Sequence, residues 1–533
     1  MRDLNKIETP QASPSATAVQ QEPAKASQQD SGVKVLVRGF RIESAQFSEN
    51  ELQSVVQDYV GREVTFSGLE EATRRISEYY RERNYFARAI LPKQSLKDGI
   101  VKIVVVEGTL AGIKIDSAQA VRLDPELAKA LVASRMPPGE LLRPDDLREG
   151  VAVLNETPGV HATASLERGE KDGETVAVVK AEDTPLVSGS AQINNQSSRS
   201  VGAVRGIATL SANNAFGRGD QFSILAVKTS GSDYGRLSAS SLVGTTGLTL
   251  GINGSLMRYD VDDEFNSADQ EGHAFTTGLT ASYPVIRLPR FSLTVLGGYE
   301  YRRLVNSVQD INSSNKEIHA KSLGARASAT DTFMGGGAST MNAEVVWGHL
   351  DLKRNTGNYA QDVASAQTNG LYSKYALRAS RLQNLVGIHK LFLSSQVQLA
   401  SQNLDSSEQF SLGGPDGVRA YPVDEGKGDI GFLGRVELRH NVMERVQLFD
   451  FYDAGWIQQH EDPWSGWNGT TNQPNDYWLQ GLGVGVTATP IDGANVSLTL
   501  AHTLGSNPGK TNGKNNDGYN DKFRIWVSAG YVF

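Results

Sequence analysis

From about residue 186 to the C-terminus, apolar and polar residues alternate with a period of two. The last segment shows the pattern most clearly, with Phe523, Ile525, Val527, Ala529, Tyr531 and Phe533 on one side and Arg524, Trp526, Ser528 and Gly530 on the other. In residues 432–439, Phe432, Val436 and Leu438 alternate with Arg435, Glu437 and Arg439. One continuous apolar face and one charged face are typical of a strand between lipid and a polar lumen.

Sixteen such segments can be counted, centred near residues 191, 207, 224, 240, 253, 278, 297, 323, 344, 376, 394, 436, 451, 484, 498 and 528. Short connections (244–247, 284–289, 442–445, 489–493) contrast with long ones (261–272, 351–370, 402–430, 460–477, 503–521). Short periplasmic turns and long extracellular loops are typical of an outer-membrane barrel, which must close because lipid cannot hydrate a free edge. A soluble β-sandwich, β-helix or propeller also alternates, but does not place its long loops on one side. The pattern predicts a membrane β-barrel of about sixteen antiparallel strands over residues 186–533.

Helical periodicity precedes the barrel. Residues 33–108 read β-α-α-β-β, with capping-box patterns at Ser48–Glu51 and Ser67–Glu70. Residues 109–185 repeat that order, and Asp124 followed by Pro125 predicts a helix start. Residues 1–32 are rich in Pro, Ala, Ser and Gln without a hydrophobic period, so we expect a flexible arm.

Composition narrows the function classes. The 533 residues include 52 basic and 60 acidic ones, a net charge of −8 that argues against a nucleic-acid partner. Cysteine is absent, which excludes disulfides and thiolate chemistry. Catalytic motifs and metal-ligand spacings are lacking, so we expect no enzyme activity, no cofactor and no metal.

The start carries no apolar signal region, and the barrel prediction implies that a signal peptide has been removed. The Arg-Gly-Asp at 218–220 falls in a predicted periplasmic turn, which favours turn chemistry over adhesion.

The longest connection, residues 402–430, holds the sequence L-G-G-P-D-G-V-R-A-Y-P at 412–422. A loop of this length without a period of its own is functional or disordered. Taken alone, it could be an ordered surface turn.

Local motifs add a family resemblance. Residues 85–94 (Y-F-A-R-A-I-L-P-K-Q) and 104–108 (V-V-V-E-G) resemble the first POTRA domain of two-partner secretion transporters, and 154–160 (L-N-E-T-P-G-V) resembles their second. Two POTRA-like modules before a sixteen-stranded barrel resemble the TpsB family, the haemolysin activation/secretion type of transporter. The resemblance covers residues 33–533.

The family resemblance implies that the loop folds back into the barrel. Its V-R-G-Y/F motif corresponds to Val418, Arg419, Ala420 and Tyr421, with Ala420 in place of glycine. A position with positive φ would strain Ala420 by roughly 1 kcal/mol. The aromatic-Asp-x-Gly context of the family's partner strand is 451–455, so Asp453 is the expected partner of Arg419. Parity places Asp453 on the lumen face with Gln447, Phe449 and Phe451.

The resemblance also implies an outer-membrane transporter that passes a large unfolded secreted protein from periplasmic POTRA domains to the cell surface. An extended partner segment could add to a POTRA sheet edge, and the candidate binding residues are Tyr79, Tyr80, Tyr85, Phe86, Ala89 and Leu91. Aromatic residues at helical spacing are more often core. Further expected partners are membrane lipids and the barrel assembly machinery. Tyr531 and Phe533 are the expected assembly signal, and the protein is expected to be a monomer.

Family members carry a plug helix before the first domain, and residues 1–32 are short for such a helix and its linker. The alternative function is an assembly factor of the same superfamily; a passive porin is disfavoured by the two modules.

Overall fold

The computed structural model describes residues 34–533 except 97, 117–120, 172, 263, 266–268 and 470–472. The flexible arm predicted for residues 1–32, and any plug helix there, lie outside the described residues.

The first module packs two helices on a three-stranded sheet. Its elements are β1 (Lys34–Leu36), β2 (Gly39–Glu43), α1 (Glu49–Val55), a 3-10 turn (Gln57–Tyr59), β3 (Glu63–Thr65), α2 (Phe66–Glu82), β4 (Ala87–Ile90) and β5 (Ile100–Glu107). The sheet order is β2-β5-β4, and β1 pairs with β3 beside it. Ser48 caps α1 as predicted, by accepting from the Glu51 amide. The predicted cap at Ser67 is wrong: β3 runs directly into α2, so Thr65 is the last extended residue and accepts from the Gly68 amide.

The second module repeats this plan. Its elements are β6 (Thr109–Asp116), α3 (Pro125–Ala133), α4 (Pro144–Asn155), β7 (Val160–Arg168) and β8 (Glu174–Asp183). The sheet order is β6-β8-β7, with β8 in the centre. Asp124 caps α3 as the sequence predicts. Leu131, Leu142 and Leu154 are fully buried between the helices and the sheet.

Sixteen antiparallel strands close into a barrel. They are β9 (Val187–Asn194), β10 (Arg205–Asn213), β11 (Gln221–Lys228), β12 (Ser232–Val243), β13 (Leu248–Asp260), β14 (Gln270–Leu288), β15 (Phe291–Val308), β16 (Ile311–Asp331), β17 (Gly337–Asp351), β18 (Gly370–Asn384), β19 (His389–Ala400), β22 (Ile430–Met443), β23 (Val446–Gln458), β24 (Asp476–Ala488), β25 (Ala494–Leu504) and β26 (Phe523–Val532). Each predicted centre falls inside one of these strands. The predicted fold class, two α+β modules followed by a sixteen-stranded barrel, is confirmed.

Two of the long loops contain local structure. The connection after β17 forms a helix, α5 (Thr356–Val363), capped by Asn355. The loop between β19 and β22 contains two short strands that pair with each other, β20 (Phe410–Ser411) and β21 (Lys427–Gly428). No helix in the described part of the chain is long and apolar enough to cross a membrane.

The second module sits against one rim of the barrel. The Arg-Gly-Asp segment forms a tight turn there, since the Asp220 carboxylate accepts from the amides of Ala215, Phe216 and Arg218. The amide of Asp124, at the start of α3, donates to Gly217 of this turn at 2.9 Å. The Arg-Gly-Asp segment therefore serves as a structural turn, as the sequence predicts. The bond from Asp124 attaches the second module to the barrel next to the lumen.

Candidate functional site

The loop between β19 and β22 lies inside the barrel. Leu412, Val418 and Ala420 are fully buried, and Tyr421 is 2% exposed. They pack against lumen-facing side chains of the wall: Leu433, Phe451, Ile457, Leu479 and Ala501. The tip of this otherwise polar loop is apolar because it is buried against these apolar side chains of the wall.

Backbone hydrogen bonds give the tip a fixed shape. The Val418 amide donates to Leu412 at 2.7 Å, and the Gly413 amide donates to Glu425 at 2.8 Å. Gly417 lies inside this turn, where an added Cβ would stand 1.8 Å from the Leu412 carbonyl oxygen. Only glycine fits there, which explains the spacing between the glycines and the V-R-A-Y segment.

Arg419 joins this tip to the barrel wall. Its Nε lies 2.8 Å from Asp453 Oδ2 and its Nη2 2.7 Å from Asp453 Oδ1, a bidentate pair. Its Nη1 donates to Glu437 Oε1 at 2.7 Å, and its own amide donates to Asp453 Oδ2 at 3.1 Å. Asp453 lies on β23 and Glu437 on the neighbouring β22. The structure therefore brings together the two residues that the sequence paired, and adds a second carboxylate.

The surroundings keep Arg419 charged and oriented. Burial by itself would lower the pKa of the Arg419 guanidinium, but the carboxylates of Asp453 and Glu437 outweigh burial and raise the pKa. The guanidinium carbon stands 3.5 Å from the centre of the Phe451 ring, and Trp526 Nε1 donates to the Arg419 carbonyl at 2.8 Å. Three strands, β22, β23 and β26, thus hold one loop residue.

Ala420 fits without backbone strain. It is not among the residues with positive φ, so the expected strain is absent. Its side chain points at β24, where Gly481 leaves room: a Cβ on Gly481 would lie 2.5 Å from the Ala420 Cβ. The Ala420 methyl group fits because residue 481 is a glycine and has no side chain at this contact.

A second charged cluster holds the entry half of the same loop. Glu408, 2% exposed, accepts from Arg302 Nη1 at 2.8 Å and lies 2.5 Å from Lys374 Nζ. Asp405 lies 2.6 Å from Lys316 Nζ. These cations come from β15, β18 and β16, whereas Arg419 is held by β22, β23 and β26. The loop therefore crosses the lumen between two separate groups of strands.

The predicted POTRA residues mostly serve packing. Tyr80 is fully buried and donates to Glu107 Oε1 at 2.6 Å, and Ala89 is buried in the same core. Burial and this hydrogen bond raise the pKa of Tyr80. Phe86 packs partly on the second module's core, and Leu91 packs partly on the first module's core. The binding prediction needs correcting for Tyr80 and Ala89, because neither reaches the surface.

Tyr79 and Tyr85 stay partly accessible at the edge of the first module. Tyr79 donates to Glu51 Oε1 at 2.8 Å. Tyr85 receives a hydrogen bond from Arg143 Nη2 at 3.1 Å and so touches the second module. Tyr79 thus joins α2 to α1, and Tyr85 joins the first module to the second.

At the other end of the chain, Tyr531 and Phe533 are 46% and 60% exposed on the outer face. The Phe533 amide and carbonyl both pair with Gly189 at 2.9 Å, which ties the C-terminus to the first barrel strand. Their role as an assembly signal stays a prediction.

Sequence reasoning missed several members of the site. Glu437 was placed on the polar face of its strand, but its partner could not be read from alternation. For Trp526 the sequence showed only that its side chain faces the lumen, and for Glu408 only that it lies in the long loop; neither fact indicated a role in the site. Among the described residues, no group of three or more His, Asp or Glu is placed to hold a metal.

Comparison with known proteins places these features in a family. The profile of the family described as haemolysin secretion/activation protein ShlB/FhaC/HecB matches residues 173–488, and that of the ShlB-type POTRA domain matches residues 35–108. The heme/hemopexin transporter protein HuxB of Haemophilus influenzae is 26% identical over 493 residues, covering 91% of this chain and 84% of HuxB.

Solved structures show the same fold. CdiB from Escherichia coli aligns with a TM-score of 0.73 at 21% identity, covering 97% of this chain and 94% of CdiB. BamA from Haemophilus ducreyi lacking POTRA domains 1–3 aligns with a TM-score of 0.55 at 15% identity, covering 94% of this chain and all of that one.

Proposed function

The chain belongs to the haemolysin secretion/activation family ShlB/FhaC/HecB, and on that premise we propose that it carries one large unfolded protein through its barrel, past a loop that is held in the lumen by Arg419. It is an outer-membrane transporter with its POTRA domains in the periplasm. The observation that carries the proposal is the buried contact of Arg419 with Asp453 and Glu437, because it makes the loop a removable occupant of the path.

The chemistry of the contact suits a gate. A bidentate arginine–carboxylate pair out of water is strong while it is complete, and leaving one partner unpaired costs about 3 to 5 kcal/mol. The loop tip therefore stays in place or leaves as a unit. A partner that enters from the periplasm displaces it, and folding of the partner outside supplies the direction.

Recognition of the partner in the periplasm needs a sheet edge with free backbone groups. In the first module three of these edge groups are already bonded to side chains. Gln53 Nε2 donates to the Phe40 carbonyl at 2.7 Å and Glu49 Oε1 accepts from the Ile42 amide at 3.2 Å, along the edge of β2. On the opposite edge, Ser77 Oγ accepts from the Ala89 amide at 3.0 Å.

The second module leaves part of an edge open. On β7, the Asn155 side chain binds both the amide and the carbonyl of Ala162, at 2.8 and 2.9 Å. Since outward groups alternate along an antiparallel edge, those of Ala164 and Leu166 also point away from the sheet. Among the described residues, none forms a hydrogen bond with these outward groups. We therefore assign β-addition of the partner to β7 from Ala164 onward.

Site-specific photo-crosslinking tests this assignment. A photoreactive residue at Leu166 should trap the secreted partner during export, whereas the same residue at Ile90, next to the Ala89 amide that Ser77 binds, should not. Trapping at Ile90 and none at Leu166 would move recognition to the first module.

Deletion of the gene tests the function as a whole. We expect loss of one large exoprotein from the medium or cell surface, with normal levels of other outer-membrane barrels. A general fall in barrel proteins would instead favour the assembly-factor alternative.

A further inference from the structure

The outer surface of the barrel carries a pocket of about 530 Å³ at the extracellular side, formed by β15 to β18. Three of its side chains are basic or can become so: His319, Lys321 and His349. All three are exposed on the face that points away from the lumen. The transport path inside the barrel does not use them.

Strand register places these groups at one depth. Lys321 lies between Tyr299 of β15 and Trp347 of β17, and one row closer to the cell surface His319 lies beside His349. One row deeper are Leu323 and Val345, where the outer face becomes apolar; Leu323 is 53% exposed. Aromatic residues gather where lipid headgroups meet acyl chains. The basic groups therefore sit at headgroup level in the outer leaflet.

Lys321 has no carboxylate partner among the described residues. The next outward acid on β16 is Glu317, which is already engaged by Arg354 Nε at 2.7 Å and by the Tyr301 hydroxyl at 2.8 Å. On β17, Asp351 accepts from the amide of Lys353. An unpaired lysine at the lipid boundary is stabilised best by an anionic headgroup.

We propose that this pocket binds a phosphate group on an acylated sugar of the outer leaflet. Lys321 and the two histidines would donate to the phosphate, since an ammonium and imidazole N–H groups are suitable donors. Trp347, 49% exposed, and Tyr299 offer flat apolar faces to the sugar ring, and the apolar rows beneath accept the acyl chains. The bound glycolipid would fix the orientation of β15 to β18, the same strands whose inner faces hold Asp405 and Glu408 of the loop.

Native mass spectrometry of the full protein in a non-ionic detergent tests the proposal. The probes are diphosphorylated lipid A, its dephosphorylated form, phosphatidylglycerol and inorganic phosphate. The test variant is His319→Gln/Lys321→Gln/His349→Gln. The matched control is Lys228→Gln, another outward lysine near the extracellular end, which is paired with Asp233.

We expect diphosphorylated lipid A to bind about tenfold more tightly than its dephosphorylated form, and the triple variant to lose that difference while Lys228→Gln keeps it. Heat-dependent gel migration of the triple variant should match wild type, which shows that the barrel has folded. Equal binding of both forms of lipid A by the wild type would overturn the proposal, as would unchanged preference in the triple variant. Displacement by millimolar inorganic phosphate would assign the pocket to free phosphate and overturn the lipid assignment, and equal binding of phosphatidylglycerol would overturn the role of the sugar.

Discussion

Arg419 and Asp453 form a bidentate ion pair: Nε and Nη2 of the guanidinium each donate to one carboxylate oxygen, at 2.8 and 2.7 Å. The two residues are 34 positions apart, one at the tip of an in-folded loop and the other on β23. Both side chains are buried, with 6% and 0% of their surface exposed. The pair thus couples the position of the loop to the barrel wall.

Arg419→Lys should weaken the hold on the loop although it keeps the charge. An ammonium is a point donor and cannot face both Asp453 oxygens and Glu437 together. We expect more frequent conductance steps in planar lipid bilayers and a severalfold loss of partner secretion.

The matched control for that substitution is Arg381→Lys. Arg381 also binds a carboxylate, Asp331, but at a partly exposed position at the periplasmic rim where an ion pair contributes about 0 to 1 kcal/mol. If both lysine variants behaved like wild type, the guanidinium geometry at 419 would have no role in transport.

Glu408→Gln should release the entry half of the loop. The substitution leaves the buried Lys374 without its anion, which costs about 3 to 5 kcal/mol locally, and removes one of the two carboxylates that bind Arg302, which keeps Glu300. Because the two clusters hold one segment, the channel activity of Glu408→Gln combined with Arg419→Ala should differ from the sum of the single effects. Strict additivity in bilayer recordings would mean that the two clusters act on separate elements.

Gly481 should tolerate no side chain while residue 420 carries a methyl group. Gly481→Val would place its Cβ 2.5 Å from the Ala420 Cβ and push the loop tip off the wall, so secretion should fall strongly. Gly481→Ala is the sharper test, because Ala420→Gly in the same chain should restore secretion by exchanging the two methyl groups. Failure of that rescue, with the protein present at normal levels in the membrane, would contradict the packing of Ala420 on Gly481.

Asn195 should stabilise the seam where the barrel closes. The ladder between β26 and β9 starts at Ser528 opposite Asn194, reaches Val532 opposite Ser190 and ends with the Phe533–Gly189 pair. At the start of this ladder the Asn195 side chain accepts from the Val527 amide and donates to the Ile525 carbonyl, both at 2.8 Å, while the Asn195 amide makes a longer bond to Val527 at 3.3 Å. Asn195→Ala removes the two side-chain hydrogen bonds, each about 1 kcal/mol. We expect unfolding at a lower temperature in heat-dependent gel migration.

A suitable control for the seam is Asn253→Ala, since Asn253 lies on β13 within a continuous ladder and makes one long side-chain bond, to Gly278 at 3.4 Å. Equal shifts for both alanine variants would show that the seam has no special dependence on its asparagine.

The barrel could be predicted because its strands obey one local rule. Alternation between a lipid face and a lumen face repeats along every strand, so the sixteen centres and the inward face of Asp453 follow from parity alone. The tip motif followed from family resemblance, since the pairing of Arg419 with Asp453 is tertiary and leaves no trace in periodicity.

What could not be predicted depends on side chains that meet across the fold. Tyr79 and Tyr80 are adjacent on α2, yet only Tyr80 is fully buried, because it faces the sheet and bonds Glu107 there, whereas Tyr79 bonds Glu51 of α1. Glu49, Gln53 and Asn155 cover strand edges that sequence reasoning expected to be open. Thr65 replaced Ser67 as the helix cap because β3 ends where α2 begins.

A reversible tether between the loop tip and the wall tests the central claim most directly. The chain has no cysteine, so the pair Val418→Cys and Gly455→Cys would be its only thiols; a Cβ at 455 would lie 3.4 Å from Val418 Cγ2, within reach of a disulfide. Each single-cysteine variant serves as a control and should secrete the partner, because the Leu412 Cδ2 that lies 2.4 Å from a Cβ at 455 is the end of a flexible side chain and can turn aside, unlike the Ala420 Cβ next to residue 481. With both cysteines, secretion should stop when the disulfide forms and resume after a reductant is added. Full secretion by the oxidised double variant would show that the partner passes without displacing the loop, and would contradict the account.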